Sequence, residues 1–283
     1  MKGTDACLNC GAPITGSYCA NCGQARVHTD PTLHEFLHEA THELVHWEGK
    51  IPHTLRALFV QPGRLTLDFL AGRRARWLPP LRLYLICSVA FFLSGPLVEG
   101  ITHRPPRHIA QFSLRGDKSS GGLTPAERTA LADGLPARVF GIDRLERAAA
   151  DNTKLDRTID SVFPKAMFVL LPMFALLTRV VWRLAAWRYP AHLYLALHLH
   201  AAWFGTFAVA KVAGAFTSSE TLAVAIGFVA FAYTVWYTLL GLRRVFGDAW
   251  IKTVAKAGLV VALYALCFLP TGLLLLAYAI WKM

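Results

Sequence analysis

The chain has 283 residues, 54% of them hydrophobic and only 17% charged, and its mean hydropathy of +0.39 is too high for an ordinary soluble domain of this size. Its formal charge of +11 is spread over the ends of apolar runs with no long positive tract, which excludes a nucleic-acid footprint and favours the phosphate headgroups of membrane phospholipid as the anionic partner. The composition predicts an all-α integral membrane protein, a helical transmembrane bundle with a small cysteine-bearing head and amphipathic interfacial helices.

The head occupies residues 1–28. Cys7-Leu8-Asn9-Cys10-Gly11 and Cys19-Ala20-Asn21-Cys22-Gly23 place two CxxC pairs with eight residues between them, a spacing that suits one tetrahedral Zn²⁺. An iron–sulfur centre is the other occupant such thiolates can take. Four protein thiolates leave no open coordination position, so the site reads as structural. It either docks a partner, the membrane domain included, or simply folds a head too small for its own core. Clustered thiolates fit a reducing cytosol, and residues 1–30 carry no apolar stretch of signal-peptide type. Cys87 and Cys267 fall inside apolar runs and are expected to be buried, inert thiols.

Residues 29–80 are expected to form amphipathic juxtamembrane helices along the cytosolic leaflet. Over 31–47, Leu33, Phe36, Leu37, Ala40, Leu44 and Trp47 share one helix side. His34, His38, His42 and His46 recur every four residues and advance about 40° each around a helix. Neighbouring pairs can hold a second metal with Glu35 or Glu39, whereas the outer pair cannot share one ion. The same residues spell HExxH three times in overlap, which reads as the periodicity of a polar face more than as a hydrolase site. Short helices are predicted over Pro52–Val60 and Arg64–Leu70, with Gln61-Pro62-Gly63 as the turn. Gly72-Arg73-Arg74-Ala75-Arg76-Trp77 follows immediately before an apolar run. Arg64, Arg73, Arg74, Arg76 and Trp77 are therefore expected at headgroup level against anionic lipid.

The first span is placed at 81–98, and 99–163 forms the large polar connection. Further apolar runs at about 164–182, 191–213, 221–242 and 257–281 bring the expected count to five, so that 164–283 holds spans two to five. Arg179, Arg183 and Arg188 cluster in one connection and Arg243, Arg244, Lys252 and Lys256 in another, while 214–220 has no base. By the positive-inside rule the N-terminus and the basic connections are cytosolic and 99–163 is extracytoplasmic. His192 and His200 lie about 80° apart on a helix, and His198 and His200 point nearly oppositely, so a regular helix cannot bring all three to one metal. These intramembrane histidines are expected as interior contacts between spans, with haem or metal ligation as the alternative.

Three function classes are open. A scaffold or regulatory module, with a homo-oligomeric or membrane-protein partner, suits a closed zinc site and few intramembrane charges. A transporter or channel for a small solute or lipid is the alternative, although the spans hold no acidic residue for ion coupling. A membrane zinc hydrolase or a haem or redox protein is the third.

The CxxCG and YCxxCGQ pieces of the head (Tyr18 to Gln24), the Pro62-Gly63 turn, Gly72 to Trp77 with Pro79 and Leu83-Tyr84, the stretch Pro164 to Leu176, and His192 to His200 together resemble the bacterial membrane-protein family known as domain of unknown function 3667. The resemblance covers nearly the whole chain apart from 99–160. It implies a zinc-ribbon head on a multi-span domain of the bacterial inner membrane, and it implies no activity. The family pattern has an acidic residue before the first membrane histidine where this chain has Ala191, and the four-residue histidine repeat is not part of it.

Overall fold

The computed structural model describes residues 6–26, 49–102, 152–183 and 187–282, with a few isolated positions between them. Its helices are α1 (Ile51–Val60), α2 (Arg64–Leu70), α3 (Pro80–Thr102), α4 (Asn152–Val181), α5 (Tyr189–Ala215), α6 (Glu220–Phe246) and α7 (Trp250–Lys282). Among the described residues four helices are long and apolar enough to cross a bilayer: α3, α5, α6 and the stretch Trp250–Leu274 of α7. The protein is thus a multi-pass, largely helical membrane protein. The fifth expected span falls on the C-terminal half of α4, whose apolar stretch Ala166–Val181 is shorter. At about 1.5 Å per residue that stretch covers roughly 24 Å, less than the hydrocarbon thickness.

One expectation is overturned. Among the described residues there is no β-strand, only two isolated bridges, Ala6 with Pro13 and Tyr18 with Ala25, so the head is not a zinc ribbon built on β-hairpins. The reason is chain length. Each CxxCG turn uses the residues between its bridge partners to wrap the sulfurs, and the short link from Ile14 to Ser17 leaves none to extend a ladder.

The chain divides into two compact units, Met1–Ile109 with Leu171–Val261, and Ala110–Leu170 with Ala262–Met283. In the second, the Arg144 guanidinium lies 4.3 Å over the Trp281 ring. The first unit is organised around α5, along which every residue from Pro190 to Ala202 is buried. On one side Tyr84, Phe91 and Phe92 of α3 surround Phe204 at ring distances of 5.8, 5.2 and 5.6 Å. On another α6 returns antiparallel, with Trp203 Nε1 donating to Thr238 Oγ1 at 2.9 Å. The last turns of α4 bring Phe174 edge-on to His200 at 5.1 Å. Gly247, at φ +71°, ends α6, and Asp248 in the following turn accepts hydrogen bonds from Trp182 Nε1 and Lys256 Nζ, both at 2.8 Å.

The helices α1 and α2 form a hairpin packed against α5 and α6. The Tyr237 hydroxyl donates to the Leu58 carbonyl and the Tyr233 hydroxyl to the Phe59 carbonyl, at 2.6 and 2.5 Å. The last carbonyls of a helix have no intrahelical donor, so the tyrosines provide what α1 lacks. The chain reverses at Gln61-Pro62-Gly63. Gly63 takes φ +79°, and a β-carbon there would sit 3.0 Å from the Gly241 carbonyl oxygen, so both the turn and its seat on α6 require glycine. Arg244 Nη1 donates to the Pro62 carbonyl at 3.2 Å. The return leg brings Thr66 Oγ1 to within 3.0 Å of His198 Nδ1 on α5. Both ends of the hairpin emerge together, since Leu78 N donates to Thr54 Oγ1 at 3.2 Å and His53 stacks on Trp77 at 4.5 Å.

Candidate metal centre and its docking loop

The head consists of two copies of one turn. In the first, Cys7 N donates to the Ala12 carbonyl at 2.7 Å and Gly11 N to the Cys7 carbonyl at 2.8 Å; in the second, Cys19 N donates to the Gln24 carbonyl at 2.8 Å and Gly23 N to the Cys19 carbonyl at 2.9 Å. The glycines that close the turns have φ +76° and +71°. This repeat brings Cys7 Sγ to within 3.6 Å of Cys22 Sγ and Cys10 Sγ to within 3.6 Å of Cys19 Sγ, with all four sulfurs within 4.8 Å of one another. A tetrahedral ion with metal–sulfur bonds of about 2.3 Å needs sulfurs roughly 3.8 Å apart, so the set fits a chelated metal. The backbone N–H of Ala12 and the Asn21 side chain hold the Cys10 thiol down to about 6, and it is exposed. Cys19 is buried; despite backbone hydrogen bonds from Cys22 its thiol is pushed up to about 11, by burial and by the neighbouring thiols. Apart from its cysteines the head buries little, with Ile14 and Ala12 packed against Cys7, Cys19 and Cys22.

The head is docked. Gln24, directly after the second turn, is 6% exposed. Its Nε2 donates to the Gly72 carbonyl at 2.7 Å, and its Oε1 accepts from Arg74 N and Ala75 N, both at 2.9 Å. One side chain therefore satisfies three backbone groups of the loop between α2 and α3. From the first turn, Leu8 covers Gly72 so closely that a β-carbon there would lie 2.5 Å from Leu8 Cδ1.

The loop is in turn anchored to α2. Asp68, itself buried, accepts from Arg73 Nε at 2.9 Å and Nη2 at 2.5 Å, and from Trp77 Nε1 at 2.8 Å. Trp77 is only 2% exposed and Arg74 only 7%; Arg74 lies 5.9 Å over Phe69 and 5.5 Å over Tyr194. Of the residues expected at headgroup level, Arg64 and Arg76 are exposed, Arg73 is half-buried on Asp68, and Arg74 and Trp77 form the interior of the loop.

The three intramembrane histidines are all buried and separately packed. His198 meets Thr66 and the edge of Phe69, at a ring distance of 5.6 Å; His200 bonds the Ala196 carbonyl through Nδ1 at 2.8 Å and packs on Phe174 and Trp203; His192 sits between Trp187 and Phe246, at 6.0 and 5.8 Å. They are not brought together. His34, His38, His42 and His46 lie outside the described residues. Cys87 is buried, and Cys267 is partly so.

Sequence reasoning quoted Gln24 without a role and passed over Asp68, Tyr233 and Tyr237. Asp68 carried a signal, as the one acid in Arg64–Leu70. No curated protein and no solved structure matches the chain. A family model described as a protein of unknown function, DUF3667, matches residues 48–92, a shorter extent than the resemblance above. That match ties the chain to the DUF3667 family over part of its length only, the hairpin, the docking loop and the start of α3.

Proposed function

We propose that this protein is a scaffold or regulatory module of the bacterial inner membrane, with its head and hairpin mouth in the cytosol and a structural Zn²⁺ on Cys7, Cys10, Cys19 and Cys22. The observation that carries this reading is the docking of the head, through Gln24, onto the loop that closes the hairpin. Such an arrangement presents a fixed cytosolic face. The core beneath it is packed with rings: His198, His200 and His192 each meet aromatic neighbours, which favours a sealed bundle over a solute path. Arg64 and Arg76, exposed beside the docking loop, suit anionic headgroups.

The test combines zinc content with water access. Purified protein is expected to carry one zinc per chain, lost in the Cys7→Ala, Cys22→Ala double variant. With Cys87 and Cys267 replaced by Ser, cysteines introduced one at a time at Tyr194, His198 and Ala208 are expected to resist a membrane-impermeant maleimide, the labelling being read by peptide mapping so that the four head thiols are scored apart. Labelling at all three positions would replace the scaffold reading with the transport one.

A further inference from the structure

We infer that the cysteine head is a metal-dependent latch on the Gly72–Ala75 segment, closed when the four thiolates are loaded and released when they are not. The inference rests on the zinc reading above and goes beyond it, since a structural ion need only fold the head.

The two CxxCG turns are separate pieces of chain, and what they share is the sulfur cluster, the small patch around Ile14 and one hydrogen bond, from Arg26 Nη2 to the Ile14 carbonyl at 2.9 Å. A piece of this size does not hold its shape on apolar burial alone, so the relative position of the turns depends on the ion. Both turns nevertheless converge on Gly72. The first contributes Leu8 against its α-carbon, and the second contributes Gln24 to its carbonyl. The Gln24 backbone carbonyl is itself the acceptor that closes the second turn on Cys19 N, so the side chain is aimed by the closure of that turn. An unloaded head therefore loses the geometry that places Leu8 and Gln24 together. The Gly72 carbonyl and the Arg74 and Ala75 N–H groups then pass to water.

The released segment is the joint of the hairpin. Arg73 and Trp77 hold Asp68 of α2, His53 of α1 stacks on Trp77, and Leu78 N is bonded to Thr54 of α1. Metal loading of the head is thereby coupled to the order of the element that fixes α1 and α2 against α3.

The experiment is peptide-resolved hydrogen exchange on the full chain in lipid nanodiscs, with zinc measured in every sample. Three samples are compared: wild type, wild type treated with a zinc chelator, and Gln24→Ala. Chelation is expected to speed exchange of the 73–78 amides by about tenfold or more, the mark of a local opening. Gln24→Ala is expected to do the same with its zinc retained, while amides in the middle of α5 stay protected in all three. Zinc-loaded wild type whose 73–78 exchange does not change on chelation would overturn the latch and leave the structural-zinc reading standing. Wild type that carries no zinc would overturn both.

Discussion

The Tyr237 hydroxyl donates to the Leu58 carbonyl at 2.6 Å, so a tyrosine of α6 closes the end of a helix 179 positions earlier in the chain. Tyr237 is 3% exposed and Leu58 1%. Removing the hydroxyl leaves a carbonyl that neither water nor another donor reaches, which costs about 1–3 kcal/mol. Tyr237→Phe is expected to lower the unfolding midpoint of the purified protein in detergent, and Tyr233→Phe to lower it less, because Tyr233 is only partly buried. Equal midpoints for Tyr237→Phe and wild type would mean that the hairpin tip is not seated there.

Phe59 and Gly205 test the same seat by shape. A β-carbon on Gly205 would lie 2.4 Å from Phe59 Cζ, so Gly205→Ala must push the ring, and through it α1, off α5. Overpacking of this kind costs about 1–3 kcal/mol. Phe59→Leu shortens the intruding side chain and is expected to restore most of the loss in the double variant, a coupling visible in a thermal-shift cycle. Additive losses would show that the two residues do not meet.

The apolar runs and the Gln61-Pro62-Gly63 turn were legible because they are local: length, proline and glycine state them within a few residues. The helices found at Ile51–Val60 and Arg64–Leu70 lie within a residue of the expected ones. What covers them was not legible. An amphipathic face says that one side is buried, and the same pattern serves a headgroup layer or a protein groove. Trp77 and Arg74 make the point, for a tryptophan beside arginines before an apolar run reads as an interfacial anchor. Here the indole is turned inward by Asp68, nine residues earlier, and the guanidinium is roofed by Phe69 and Tyr194. The cysteine spacing stated the sulfur cluster but not the absence of strands, because a CxxC pair specifies its own turn and nothing of the chain around it.

Asp68 is the acid on which the docking loop depends. Asp68→Ala leaves Trp77 Nε1 buried without its acceptor and releases Arg73, and is expected to cost about 2–4 kcal/mol. Asp68→Asn keeps an acceptor for the indole and loses only the charge-assisted part, about half as much. Thermal denaturation of both variants in the same detergent decides it. Asparagine as damaging as alanine would assign the whole effect to the charge on Arg73.

Asp248, in the turn between α6 and α7, makes a prediction in pH. The hydrogen bond from Lys256 holds its carboxyl below the usual carboxylate range against the opposing effect of burial, with smaller contributions from the Trp182 hydrogen bond and the charges of Lys256 and Lys252. A group with a depressed folded-state pKa contributes stability above its unfolded value of about 3.9, and that contribution disappears as pH falls through the folded value. The side chains of Asp248 and Lys256 are 21% and 34% exposed, so water and salt screen the pair and it is worth about 1 kcal/mol or less. Asp248→Asn, which keeps an acceptor for the Trp182 indole, is therefore expected to be slightly less stable than wild type from pH 8 down to about pH 5 and to converge on it below about pH 4. Lys256→Met should remove the pH dependence of that difference. A gap between wild type and Asp248→Asn that stays constant through the acid range would place the stabilisation in the indole hydrogen bond and not in the ion pair.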